Sequence, residues 1–293
     1  MIKKECEKGA AEARERAKKW REEHKNNWQI CQKCGKKFCL GKNNKNYNNY
    51  MAEKELEIIY QRIDLDYDLR DLEPYIPEKI MNDHYNGNHQ GYENNLNLIL
   101  TKLEKDKKEY LKNNYSELKK LLGNLNQLTS ELALTPQIKE AIRFHAGGLI
   151  NHNYFFWHLA KNKVNTSKAF LEALRDSGFD SLDPQSDLKD QLIKQALNPT
   201  INGTVYGSYW TWLVLDENNQ MKIMKTANQD SPWMFNFRPL IAIDMWEHAY
   251  LRKYNPGRYG TNYKKEYLKA LVNYCLNWER IDEIYLQEVR PFG

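Results

Sequence analysis

The hydrophobic period of this chain changes once along its length, and the change limits the folds open to it. From Leu96 to Leu128 apolar residues recur at steps of three and four, the spacing of one face of a helix. Gly123 and Asn124 mark a break within that run. A second helical pattern extends from about Pro136 to Leu159, and two long helices in succession predict a helical hairpin. After about Thr166 the texture differs. SKAFLEALRDSGF and DPQSDLKDQLIKQAL are helical, but VYGSYWTWLVLD is rich in aromatic and β-branched residues. A turn at Glu217–Asn219 and the segment MKIMKTAN complete a β-hairpin. PLIAID reads as a third, buried strand, and helices return in EHAYLRKY and YKKEYLKALVNYCL. The fold class is therefore α+β: an N-terminal helical hairpin, then an α/β domain with a three-stranded antiparallel sheet. Three parts follow: a basic, Cys-containing extension over residues 1–60, the hairpin over 61–162, and the α+β domain over 163–293.

At 293 residues and 41% apolar composition, the chain can bury a sizeable core. No apolar run approaches the roughly 20 residues that span a bilayer. The opening MIKKECEKGAAEARERAKKW lacks the apolar centre of a secretory signal. Both features point to an intracellular protein with no membrane partner. The five Cys, an odd number, argue against a disulfide framework. The first 60 residues carry 15 Lys/Arg against 9 Asp/Glu, so the formal net charge of +5 belongs to them. A solvated tail is the plain reading of that charge, and contact with nucleic acid or an acidic partner is the other. Within this extension WQICQKCGKKFC begins like a zinc finger. Cys31 and Cys34 have metal-ligand spacing, with Cys39 a candidate third zinc ligand and Cys6 or His24 a fourth. The C-x-x-C pair alone is half a site; free thiols in a degenerate segment are the alternative.

The seven His are unevenly informative. His84 lies in MNDHYNGNHQGY near the start of the first long helix, and His152 in HAGGLINHNYFFW within the second. His248 follows Asp244 by four residues in IDMWEHAY. If Asp244 ends the buried strand and His248 opens the next helix, both point at one site. Three imidazoles and a carboxylate suit a borderline divalent or trivalent metal and leave a position for solvent or substrate. A lone His on an amphipathic helix is more often packed or solvated than ligating. Periodicity alone leaves the function open between a metalloenzyme and a helical structural protein.

The flanking motifs narrow this. YDLRDLEPYIPEKIMNDHYNGNHQGY, AGGLINHNYFFWHL, GSYWTWLVL, TANQDSP, DMWEHAY and YCLNWERI resemble, in order, the motifs of the iron/manganese superoxide dismutase family over about residues 64–288. The resemblance implies that superoxide is the substrate and that His84, His152, Asp244 and His248 are the metal ligands. It implies that Tyr92 lies at the substrate channel and that Gln229 hydrogen-bonds the solvent on the metal. Trp210, Trp212 and Trp246 would form an aromatic wall. Glu247 would reach His248 of a partner subunit across a two-fold interface, in a homodimer or tetramer. Gln229 on the hairpin, with Gly148 four residues before His152, favours manganese; iron is the alternative. Arg258 matches a basic residue near the channel that draws in the superoxide anion.

Three positions depart from the family pattern. Asn88 stands where a channel His is usual, four residues after His84, and Leu251 where a second Tyr follows EHAY. Phe156 stands where a Trp is usual, a swap tolerated within an aromatic wall. His89 is adjacent to Asn88 but is expected on another side of the helix. Asn88 cannot relay a proton as an imidazole can. A second reading follows from Asn88 and Leu251: a metal-binding homologue of impaired turnover that acts through its N-terminal module.

Overall fold

The computed structural model describes residues 28–30, 37–39, 59–161, 165–180, 182–254 and 262–289. The chain divides into two compact units, Met1–Leu56 and Glu57–Gly293. In the first, strand β1 (Trp28–Ile30) pairs antiparallel with β2 (Lys37–Cys39). Cys31, Cys34, Cys6 and His24 lie outside the described residues, and of Cys39 only the backbone, at the end of β2, is described. The zinc and nucleic-acid readings therefore fall outside them too.

The second unit opens with helices. Helix α1 (Glu78–Asn82) runs into a π-helical stretch, Asp83–His89, and then into α2 (Gln90–Thr101). Three short helices follow: α3 (Lys105–Asn114), α4 (Leu118–Gly123) and α5 (Leu125–Glu131). The long helix α6 (Pro136–Trp157) starts at Pro136, with Thr135 Oγ1 accepting from the Ile138 amide at 3.3 Å. A proline at the first position and a hydroxyl cap both satisfy a helix start. The break at Gly123–Asn124 is present, but the run from Leu96 to Leu128 is broken twice more, after Thr101 and after Asn114. At about 1.5 Å per residue a single helix over that run would be about 50 Å long, against about 33 Å for α6. Folding back lets Leu96, Leu100, Leu111, Leu121, Leu122 and Leu128 share one core with Ile142 and Leu149 of α6.

Beyond α6 come α7 (Lys168–Asp176) and α8 (Pro184–Ala196), capped by Ser167 and Asp183. A small hairpin, β3 (Thr200–Ile201) with β4 (Thr204–Val205), precedes the sheet. The sheet is β5 (Tyr209–Leu215), β6 (Met221–Ala227) and β7 (Arg238–Asp244), all antiparallel, in the order β6-β5-β7. The expected turn is built on Asp216, whose Oδ1 accepts from the Asn218 and Gln220 amides at 2.9 Å each. Central strand β5 is buried at every position, as its unbroken apolar run requires. A 3₁₀ turn (Glu247–Ala249), α9 (Leu251–Tyr254), α10 (Tyr263–Ala270), a π stretch (Leu271–Cys275) and α11 (Trp278–Val289) complete the unit. The fold is thus a helical N-terminal part followed by an α/β part with a three-stranded antiparallel sheet. No helix among the described residues is long and apolar enough to cross a membrane.

The register positions the chemistry. Trp210 on β5 lies opposite Asp244 on β7 and Thr226 on β6, and Gln229 follows β6 by two residues. One end of the sheet therefore carries Trp210, Gln229 and Asp244 together.

Leu213→Ala empties a fully buried position in the middle of β5. Urea unfolding is expected to report a loss of about 2–5 kcal/mol for it. Leu182→Ala, at a position 91% exposed, is expected to stay within about 0.5 kcal/mol of the parent.

Candidate metal centre

The site is assembled around Asp244, the last residue of β7. The Trp246 amide donates to Asp244 Oδ1 at 2.7 Å, which fixes the carboxylate and leaves Oδ2 facing inward. Three imidazole nitrogens converge on Oδ2. His84 Nε2 and His248 Nε2 are each 3.1 Å away, and His152 Nε2 is 3.7 Å away. The four side chains offer ligand atoms that all lie within 4.8 Å of one another. His84 comes from the π stretch before α2, His152 from the middle of α6, and His248 from the 3₁₀ turn after β7. The D-x-x-x-H spacing works because the chain turns tightly at Met245–Glu247 and brings His248 back over the end of the strand. His248 is 20% exposed; the other three are fully buried.

The electrostatics of this cluster are unbalanced without a cation. His152 Nδ1 donates to the Gly148 carbonyl at 2.7 Å, so its Nε2 carries a lone pair turned toward the carboxylate. His84 Nε2 and His152 Nε2 are buried with no hydrogen-bond partner. Burial above all pushes the His84 pKa down to about 4, and burial reinforced by His84 pushes His152 well below 6.5. Burial by itself would raise Asp244, but the imidazoles of His248 and His84 outweigh it and hold the carboxyl below its usual range. A buried anion that faces His248 Nε2 on one side and the unpartnered Nε2 atoms of His84 and His152 on the other is incompletely compensated, and such charges are paired or bind metals. The donor set, three nitrogens and one oxygen, fits a first-row transition metal.

Tyr92 and Gln229 lie beside the cluster. The rings of Tyr92 and His152 are 5.1 Å apart. Trp210 Nε1 donates to Gln229 Oε1 at 3.1 Å, and Gln229 Nε2 donates to Tyr92 Oη at 2.9 Å. Since an indole is only a donor, it settles which way the Gln229 amide faces. Burial, with the nearby Asp244 charge, raises the Tyr92 pKa, so the phenol keeps its proton. Two glycines of α6 make this arrangement possible. A Cβ on Gly147 would sit 2.0 Å from the Gln229 carbonyl oxygen, and one on Gly148 would sit 2.4 Å from the Tyr92 ring. The walls are aromatic. Trp210 meets His152 edge-on at 5.1 Å and stacks on Trp212 at 5.4 Å; Trp246 stacks on His248 at 5.8 Å.

The remaining sequence candidates are placed as follows. Phe156 is fully buried against His84, so the aromatic swap does fill the wall. Asn88 is half-buried, its Nδ2 3.4 Å from His248 Nδ1. Glu247 is exposed and Leu251 half-buried. Arg258 lies outside the described residues. His89 faces a different side from Asn88: it is fully buried, stacks on His152 at 5.6 Å and on Phe156 at 5.3 Å, and pairs with Asn153 Oδ1 at 2.8 Å. The π geometry of Asp83–His89 is the reason: an i→i+5 turn returns His89 to the side of His84, where an α-helix would carry it away. Asn151, also unanticipated, anchors the hairpin end by donating to the Gln229 and Asp230 carbonyls at 3.1 and 3.2 Å.

Residues 59–160 match the alpha-hairpin domain of iron/manganese superoxide dismutases, and residues 177–284 match their C-terminal domain. The manganese superoxide dismutase of Thermus aquaticus is 34% identical over 222 residues, covering 76% of this chain and 95% of that protein. The Thermus thermophilus manganese superoxide dismutase is also 34% identical, over 227 residues, with 76% and 95% covered. The second manganese superoxide dismutase of Bacillus anthracis is 33% identical over 236 residues, 79% of this chain and 97% of that protein.

Two outcomes follow from the packing and charge. Gly147→Ala forces a methyl group against backbone, and is expected to lower stability by about 1–3 kcal/mol in denaturant titrations. The buried His84 is neutral in the fold with a pKa near 4, whereas unfolded it binds a proton below about 6.5. The unfolded state thus binds more protons as pH falls. The thermal midpoint of metal-free protein is expected to be highest above pH 6.5 and to fall steadily toward pH 4.

Proposed function

The chain belongs to the iron/manganese superoxide dismutase family, and from that premise we propose that His84, His152, Asp244 and His248 hold a manganese ion. The reaction is the dismutation of superoxide, in which two superoxide anions and two protons give dioxygen and hydrogen peroxide. The observation that carries the reading is the convergence of three imidazole Nε2 atoms on one buried carboxylate oxygen. When bound, the ion supplies one-electron chemistry by passing between trivalent and divalent states, which zinc cannot do.

The chain's own residues do the rest. Asp244 offsets part of the ion's charge, and its hydrogen bond from Trp246 keeps Oδ2 oriented. The Gly148 carbonyl fixes the His152 tautomer with its lone pair inward. The Tyr92 hydroxyl accepts from Gln229, so its own proton is free to be donated at the site. Peroxide formation consumes protons, and this phenol is a donor of the right kind. The walls of Trp210, Phe155 and Phe156 exclude bulk water and strengthen each polar contact inside.

Manganese rather than iron is supported by Gly148 and Gln229. Any side chain at 148 would collide with the Tyr92 ring, and the glutamine that reaches Tyr92 is the one that follows the hairpin. The division into a helical part up to about residue 162 and an α+β part beyond it belongs to the same reading, supported by the two separate domain matches. Exposed Glu247, beside partly exposed His248, supports assembly with a second copy of the chain through this face.

Reconstitution with manganese or iron, with metal content and dismutase activity read on the same sample, tests the proposal. Activity is expected to track manganese, and His152→Ala to lose both metal and activity. Activity that tracks iron would overturn the manganese assignment; full occupancy with no turnover would overturn the enzyme itself. Gln229→Ala removes the donor to Tyr92 and is expected to slow turnover about 10–100-fold while keeping the metal.

A further inference from the structure

A phenol that gives up its proton at each cycle has to be refilled. Tyr92 is buried, and its hydroxyl already accepts from Gln229. A carboxamide neither gains nor loses a proton near neutral pH, so Gln229 cannot do the refilling. The ring of His145, on α6, lies 6.1 Å from the Tyr92 ring. His145 Nδ1 is buried with no hydrogen-bond partner, while the residue as a whole is half-buried. Resting on the dismutase reading above, we propose that His145 returns protons from solvent to Tyr92 through one bridging water.

The placement suits such a relay. One nitrogen is enclosed beside the phenol, and the rest of the ring reaches water. This chain alone encloses Nδ1, so its burial does not depend on a second copy. A buried imidazole nitrogen with no partner is costly unless a water completes it, and Tyr92 Oη is the second polar group that water needs. A distance of 6.1 Å between ring centres lets one water join the two. The protons balance. The Tyr92 O–H bond breaks as its proton goes to the peroxide product. The phenolate oxygen takes a proton from the water, the water takes the one on Nδ1, and Nε2 takes one from solvent. One proton enters, one leaves, and no electron moves. Rotation of the half-buried ring exchanges its nitrogens and restores the starting state.

The surroundings keep the ring ready for both transfers. Burial lowers the His145 pKa, so the ring is neutral at neutral pH and can accept as well as donate. Tyr92 on α2 is the titratable group that its ring meets. On its own helix Arg143 is paired with Glu140 at 3.3 Å and with Asp230 at 2.6 Å. Phe144 meets the ring edge-on at 5.3 Å and carries no charge. Asn88, four residues before Tyr92, cannot relay a proton in its place.

The test is steady-state dismutation by the manganese-loaded protein, with circular dichroism as the control of folding. His145→Ala is expected to lower kcat about tenfold or more while kcat/KM stays within about twofold, because proton supply limits turnover and not the capture of superoxide. Added imidazole is expected to restore kcat. An unchanged kcat would overturn the proposal, as would an equal loss of kcat and kcat/KM that imidazole does not repair. A second readout needs no turnover. In metal-free protein with isotope-labelled histidine, Tyr92→Phe is expected to shift the His145 titration seen by NMR; a titration that stays in place would also overturn the relay. Full manganese occupancy with no turnover in the parent would remove the dismutase reading and this inference with it. Turnover by the parent, with His145→Ala unchanged, would remove the role of His145 alone.

Discussion

One carboxylate oxygen, Asp244 Oδ2, organises this molecule. It is buried at the end of the sheet and faced by three imidazole nitrogens, two of which have no hydrogen-bond partner. Such a group is costly in a protein interior unless a cation completes it. Every element nearby supplies part of the cage. β7 delivers the carboxylate, the Trp246 amide orients it, and β5 places Trp210 in register beside it. The π stretch and α6 each contribute one imidazole from the opposite side. Sheet and helices meet where neither could form the site alone.

The contact between these halves is made by absence of side chains. At Gly147 the backbone of α6 approaches the Gln229 carbonyl, and at Gly148 it approaches the Tyr92 ring, both nearer than a Cβ would permit. That closeness lets Asn151 grip the hairpin end and lets Gln229 span from Trp210 to Tyr92. The hydrogen-bond chain from indole to amide to phenol therefore depends on helix packing, not on the three residues alone.

The strands and the metal cluster were legible in the sequence because each leaves a local mark. β5 is an unbroken aromatic and aliphatic run, and Asp244 and His248 are fixed by a short turn. The ligands from distant helices were legible only through the motifs around them, since an isolated His84 or His152 has the same spacing as any packed histidine. The breaks between α2 and α5 were not legible. Apolar residues at three- and four-residue steps fit one long helix as well as several short ones, and the length of α6 decides between them. The small hairpin of β3 and β4 is too short to leave a period. The packing of His89 on His152 was not legible for a related reason: angular position along a helix is counted at the α pitch, and a π turn changes the count.

Asn88 meets the site at His248, its partly exposed edge. His84, His152 and Asp244 are fully buried, and what orients His152 and Asp244 is backbone: the Gly148 carbonyl and the Trp246 amide. Backbone partners survive substitution of the residues that carry them. His248 is the ligand reached by solvent, and its outer nitrogen faces a side chain. Phe156, on the buried side, is one aromatic ring in a packed wall against His84. A metal centre of this design is rigid at its core and adjustable at one edge, so sequence change that retunes it without dismantling it has to arrive at His248.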